Sequence, residues 1–206
     1  MNIQLHEILE AALFAATEAM NLADLQNIFL DKERPAKNQI KQALVSIEKE
    51  YTKKPIELVE TASGYRFQVK KEFSPWVSRI WQEKPAKYSR ALLETLAVIA
   101  YQQPTTRGEI EEIRGVGVST HIIRSLEERE WIRIVGFKEV PGKPALYATT
   151  RQFLDYFNLQ KLADLPILSE LQEIGELPDG MLPLQFDTNN ENKQMILLND
   201  EKATTE

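Results

Sequence analysis

Apolar positions recur most regularly between Ala91 and Val116. Leu92, Leu96, Ile99 and Ala100 fall at helical spacing and define one buried face. Ser89 stands just before them as an N-cap, its hydroxyl able to accept a free first-turn amide. Pro104 lacks an amide donor and drives Gln103 towards extended backbone, so the helix ends there. Thr106 and Glu109 have capping-box spacing and predict a second helix at once, short, with Ile110 and Ile113 inward. It stops at Gly115 and Gly117, where a turn needing positive φ is expected, and a third helix starts near Ser119. Three short helices in this order predict a helix-turn-helix core.

The same pattern occurs earlier in the chain. Residues 5–29 read as helical, with one stripe at Leu5, Ile8, Leu9, Ala12 and Leu13 and another at Leu22, Leu25, Ile28 and Phe29. Ile40, Ala43, Leu44 and Ile47 predict a helix running to about Tyr51. Ile56 and Leu58, then Tyr65, Phe67 and Val69, alternate about a Ser63-Gly64 turn, which is a hairpin signature. Ser74-Pro75 predicts a short connecting helix carrying Trp76, Val77, Ile80 and Trp81. Beyond the third helix of the second half, Trp131 to Val135 and Ala145 to Thr149 read as strands about a Val140–Lys143 turn. ILEAALFAA from Ile8 overlies LLETLAVIA from Leu92, and IKQAL from Ile40 overlies IIRSL from Ile122, at offsets of 84 and 82. The expected fold is mainly α with small β-wings (α+β). It comprises winged-helix domains at 1–82 and 89–160 in tandem, a charged linker at 83–88, and a tail at 161–206.

Charge sharpens the division. Residues 1–85 carry 12 basic and 12 acidic side chains, residues 86–160 carry 10 and 9, and residues 161–206 carry 3 and 10. The body is neutral and the acidic excess lies in the tail, where Pro166, Pro178 and Pro183 oppose a continuous helix. That tail is expected to be largely disordered, with Leu162, Leu165, Ile167 and Leu168 packing on the second domain. A winged-helix protein that works on DNA lays its third helix in the major groove. Here that helix offers Thr120, His121, Arg124 and Arg129 but also Glu127, Glu128 and Glu130, which oppose phosphate. A dimeric DNA-binding transcriptional regulator is therefore the second reading. No apolar run is long enough to span a bilayer, and no secretory signal pattern is present, so a cytoplasmic protein is expected.

Catalytic chemistry finds no foothold. The chain has no cysteine, and its histidines, His6 and His121, lack a ligand partner on the same helix face. No phosphate-binding glycine motif occurs, and Glu111-Glu112 and Glu127-Glu128 are adjacent in sequence and point apart. No enzyme activity, metal or cofactor is expected.

Three motifs carry a family resemblance: ALLETLAVIAYQQP (Ala91 to Pro104), TRGEIEEIRGV (Thr106 to Val116) and VGFKEVPGKPALYATT (Val135 to Thr150). With the LADLPILSEL that follows, the second half closely resembles segregation and condensation protein B (ScpB), and the first half resembles it in element order. The resemblance implies a non-enzymatic, nucleoid-associated subunit that dimerises through its first domain. It also implies binding to the middle of the extended kleisin ScpA, which joins the heads of an SMC ATPase, with DNA touched weakly or only within the complex. Kleisin-binding candidates are Tyr101, Gln103, Thr106, Arg107, Ile110, Arg114 and Val116, with Trp131 and Phe137 as further apolar contacts. Charge reversal at Arg107 or Arg114 is expected to weaken that complex without unfolding the chain. The dimer patch is placed at Leu13, Phe14, Leu22, Leu25 and Phe29.

Overall fold

The computed structural model describes residues 3–80 and 88–166. Most of the 83–88 linker, Trp81, and the tail from Ile167 lie outside the described residues. The chain divides into two compact units, 1–86 with Leu154–Leu165, and 87–153 with the remainder.

The first unit runs α1 (Leu5–Ala15), α2 (Leu22–Asn27), α3 (Lys37–Tyr51), then an antiparallel hairpin of β1 (Ile56–Thr61) and β2 (Gly64–Val69). The stripe expected over residues 5–29 is broken after Ala15 because Met20 leaves helical geometry. It exchanges backbone hydrogen bonds with Tyr65, both 2.9 Å. Asn21 then restarts the helix, its Oδ1 accepting from the Ala23 and Asp24 amides while Asp24 accepts from the Asn21 amide. Gly64 lies against this crossing at φ +135, and a Cβ there would sit 2.3 Å from the Met20 carbonyl carbon and oxygen. Only glycine fits. The core gathers Leu9, Leu13, Leu25, Ile40, Leu44 and Ile47. After the hairpin, the connecting helix α4 (Ser74–Val77) begins at Ser74 rather than after it, with a 3₁₀ turn at Lys71–Phe73 before it.

Leu154–Leu165 groups with this unit, whereas the sequence places 151–160 with the second half. Hydrogen bonds supply the reason. The Ser63 amide donates to Asp155 Oδ1 (2.8 Å), the Ala62 amide to the Leu159 carbonyl (2.9 Å), and Arg66 to the Asp155 carbonyl and Asn158 Oδ1.

The second unit repeats the order with α5 (Arg90–Gln102), α6 (Arg107–Arg114) and α7 (Thr120–Glu128), then strands β4 (Ile132–Phe137) and β5 (Ala145–Thr149). Ser89, Thr106 and Ser119 cap the three helices as their sequence positions predict. Gly115 takes left-handed geometry at φ 69, whereas Gly117 does not. A two-residue strand unseen in the sequence, β3 (Thr105–Thr106), joins the sheet in the order β3-β5-β4. Thr105 pairs with Tyr147 as Met20 pairs with Tyr65, so the link between the first two helices crosses the hairpin in both units. The helix α8 (Arg151–Tyr156), also unread, starts where Thr150 Oγ1 accepts the Phe153 amide.

Candidate partner-binding surface

The proline-terminated helix and the capping box between α5 and α6 place most of the motif residues inside the second unit. Gln103 is 8% exposed, and its Oε1 accepts from the Thr149 amide (2.6 Å) and hydroxyl (2.9 Å) while Nε2 donates to the Ala100 carbonyl. It locks α5 to β5 and is not an open recognition residue. Thr106 and Ile110 are likewise buried, the first capping α6 and the second fully in the core. Trp131 is core as well, packed edge-on to Tyr88.

The arginines diverge. Arg114 has a side chain only 3% exposed and donates to Glu94 at 2.8 Å, so it is no surface cation. Glu94 also accepts from Arg90, and its carboxyl is held below the ordinary value chiefly by Arg114. Arg107 lies at the surface, bonded to Glu111 (3.0 Å) and to Thr120 Oγ1 (3.2 Å). Glu111 also takes the Val118 amide at 2.9 Å, and that bond first, then Arg107, lowers its pKa. Arg107 is therefore part of the clasp between α6 and α7. Arg124 is paired with Glu128 along α7. Arg107 and Arg124 on α6 and α7 are thus each met by one of the chain's own carboxylates, while Arg129 donates to the Ser125 carbonyl.

The β4–β5 hairpin shows the opposite character. β4 is an edge strand, and Ile134 (47%), Val135 (44%) and Phe137 (60%) are exposed on it, with Val140 just beyond. Val116, at the α6–α7 turn, is also exposed. A bulge between Ile134 and Gly136 offsets the β4 register. Side chains on both faces of an edge strand, most of them apolar, form a template for an added strand or a packed helix. The sequence reading singled out Phe137 but missed its neighbours, because alternation alone does not say which strand of a wing lies at the edge.

The β4–β5 hairpin is tied down near its turn end, just past β4. Lys138 Nζ donates to Glu109 Oε1 at 2.8 Å, while Glu109 Oε2 accepts from the Thr106 amide (2.7 Å) and hydroxyl (2.9 Å). Burial would raise the Glu109 pKa, yet Lys138 and the two Thr106 donors outweigh it and hold the carboxyl at about 2.

In the first unit, Leu13 and Leu25 are core residues at 3% and 0% exposure, and Leu22 and Phe29 pack partly buried against that core. Of the five dimer candidates only Phe14 is exposed, stacked on Phe67 with ring centroids 4.3 Å apart. Among the described residues there is no cluster of three or more His, Cys, Asp or Glu side chains able to hold a metal. No helix among them is long and apolar enough to cross a membrane.

The molecule is thus a mixed helix-and-strand protein of two small units, with exposed apolar side chains on the edge strand β4. The model of the segregation and condensation complex subunit ScpB matches residues 7–168, and the chain belongs to that family. It is 50% identical over 170 residues to a segregation and condensation protein B homolog of Coxiella burnetii, covering 82% of this chain and 81% of that one. It is 41% identical over 182 residues to segregation and condensation protein B of Syntrophotalea carbinolica, covering 87% and 90%. Similar solved structures include ScpB from Mycobacterium tuberculosis (30% identity, 77% of this chain and 99% of that chain, TM-score 0.35). Another is a dimer of an ScpB N-terminal domain complexed with an ScpA peptide (20% identity, 39% and 94%, TM-score 0.34).

Proposed function

We propose that this chain is a non-enzymatic adaptor of a bacterial SMC–kleisin complex, built from two tandem winged-helix domains. It works in the cytoplasm on the nucleoid as a homodimer, binds the kleisin ScpA, and supports chromosome condensation and segregation during cell division. Family membership supports the complex. The observation that carries the binding mode is the edge strand β4 with Ile134, Val135 and Phe137 exposed, together with Arg107 and Arg124 already paired with carboxylates. An extended or helical ScpA segment gains apolar contact there. In the first unit, Phe14 is the dimer candidate that still presents apolar surface to a second copy.

Calorimetric titration of the full-length chain with the central segment of ScpA tests the reading. The expected result is saturable binding that persists at raised salt, with sedimentation giving a dimer. Absence of binding to ScpA, together with salt-sensitive binding to duplex DNA, would overturn it.

A further inference from the structure

The bulge in β4 decides which side chains of the β4–β5 hairpin share a face. Ile134 pairs with Tyr147, and Phe137 pairs with Ala145. Tyr147 and Ala145 stand two apart on β5, so they lie on one face of the sheet and their partners lie there with them. Without the extra residue, Gly136 would hold the place of Phe137, and the ring would turn to the opposite face. That opposite face carries Arg133, paired with Ala148, and Gly136, paired with Leu146. Ile132 and Thr105 share the face of Ile134 and are buried, at 2% and 1% exposure. The face that closes the core at one end of the hairpin therefore runs past it at the other. There Ile134 and Phe137 are exposed beside a half-buried Tyr147.

A carboxylate borders this apolar row. The Tyr147 hydroxyl is pushed above its ordinary value by burial and then by the charge of Glu127 on α7, with Arg107 acting in the opposite sense. Arg107 is engaged by Glu111, whereas Glu127 makes no ion pair among the described residues. An apolar row beside an unpaired carboxylate suits apolar side chains accompanied by a cation, and it repels phosphate. It also suits a helix better than an added strand. Side chains two apart on one strand face stand about 7 Å from each other, near the separation of about 6 Å between positions four apart on a helix. An added strand would instead have to follow a ladder that the bulge interrupts.

We infer that the ScpA contact is made by an amphipathic helix, whose apolar stripe packs on Ile134, Tyr147 and Phe137 and whose lysine or arginine pairs with Glu127. The inference rests on the ScpA reading above and adds the face used, the conformation of the bound segment and the charge it carries. The bulge is then a specificity element, because it alone brings Phe137 to the side of Ile134 that Glu127 borders.

The test titrates the full-length protein calorimetrically with the central segment of ScpA, and reads the carbon chemical shifts of the labelled segment in the complex. Ile134→Asp should weaken binding by roughly thirtyfold and Glu127→Lys by roughly tenfold. Arg133→Asp, on the same strand but the opposite face, should change it by less than about twofold. Thermal melts verify that each variant folds, and Ile134→Ala reads the same contact with a smaller loss if the aspartate variant melts early. The bound segment should show helical shifts. Undiminished binding by the Ile134 or Glu127 variants, a loss from Arg133→Asp equal to that from Ile134→Asp, or extended shifts would overturn the inference and leave ScpA as the partner. Absence of ScpA binding by the unmodified chain would overturn the ScpA reading and this inference with it.

Discussion

Gln103 Oε1 accepts two hydrogen bonds from Thr149, one from its amide at 2.6 Å and one from its hydroxyl at 2.9 Å. This side chain closes the second unit by joining the end of α5 to the last strand of the wing. Gln103→Ala leaves the Thr149 amide without its acceptor and should destabilise the chain by about 1–3 kcal/mol. Urea denaturation will report that as a lower midpoint. Affinity for ScpA, measured on the folded fraction, should be unchanged.

The two motif arginines should behave oppositely. Arg107→Glu acts on an exposed pair and should cost less than about 1 kcal/mol of stability. Arg114→Glu places a second carboxylate against Glu94 beneath the surface and should cost about 3–5 kcal/mol. Thermal melts of the two variants side by side check this, and equal melting temperatures would contradict the burial assigned to Arg114.

Glu109 makes the second unit sensitive to acid. Its carboxyl is held at about 2 in the folded chain against an ordinary 4.5, so the folded state binds its proton less readily than the unfolded one. The stabilisation is complete above the ordinary value and disappears as pH falls through about 2. Stability measured by denaturant titration should therefore decline from about pH 5 downward. Glu109→Gln should flatten that decline while lowering stability at neutral pH.

On the wing, Phe137→Asp should leave stability within about 0.5 kcal/mol, because the ring is 60% exposed. It should weaken ScpA binding by about 2 kcal/mol or more if the edge strand is the contact, a loss of roughly thirtyfold. Calorimetry with the ScpA central segment gives the number. A variant that binds normally would move the site elsewhere.

Helix starts were legible in the residues because capping is local chemistry. Ser89, Thr106-Glu109 and Ser119 occur in the structure as their spacing predicts. The hairpins were legible for the same reason, their alternation and turn residues lying within a few positions of each other. What failed was long-range. Met20 and Thr105 join strands through partners about 45 and 42 residues away, and no local signal marks either one. The site suffered most from this gap. Thr106, Ile110 and Arg114 share a motif with Arg107 and Val116, and Gln103 stands near the end of the motif before it, yet only Arg107 and Val116 are at the surface. A dense motif identifies a family without separating residues that hold the unit together from those that face outward.

The Lys138–Glu109 bridge has a kinetic consequence. β-wings are commonly mobile, and a mobile wing must be immobilised before a partner can use it. Here Lys138, just past the end of β4 at the turn end of the hairpin, is already fastened to the first turn of α6 by a charge-assisted bond, with Thr106 holding the same carboxylate from beneath. Ordering is largely complete before contact, so association at the proposed β4 surface should proceed without a slow rearrangement step.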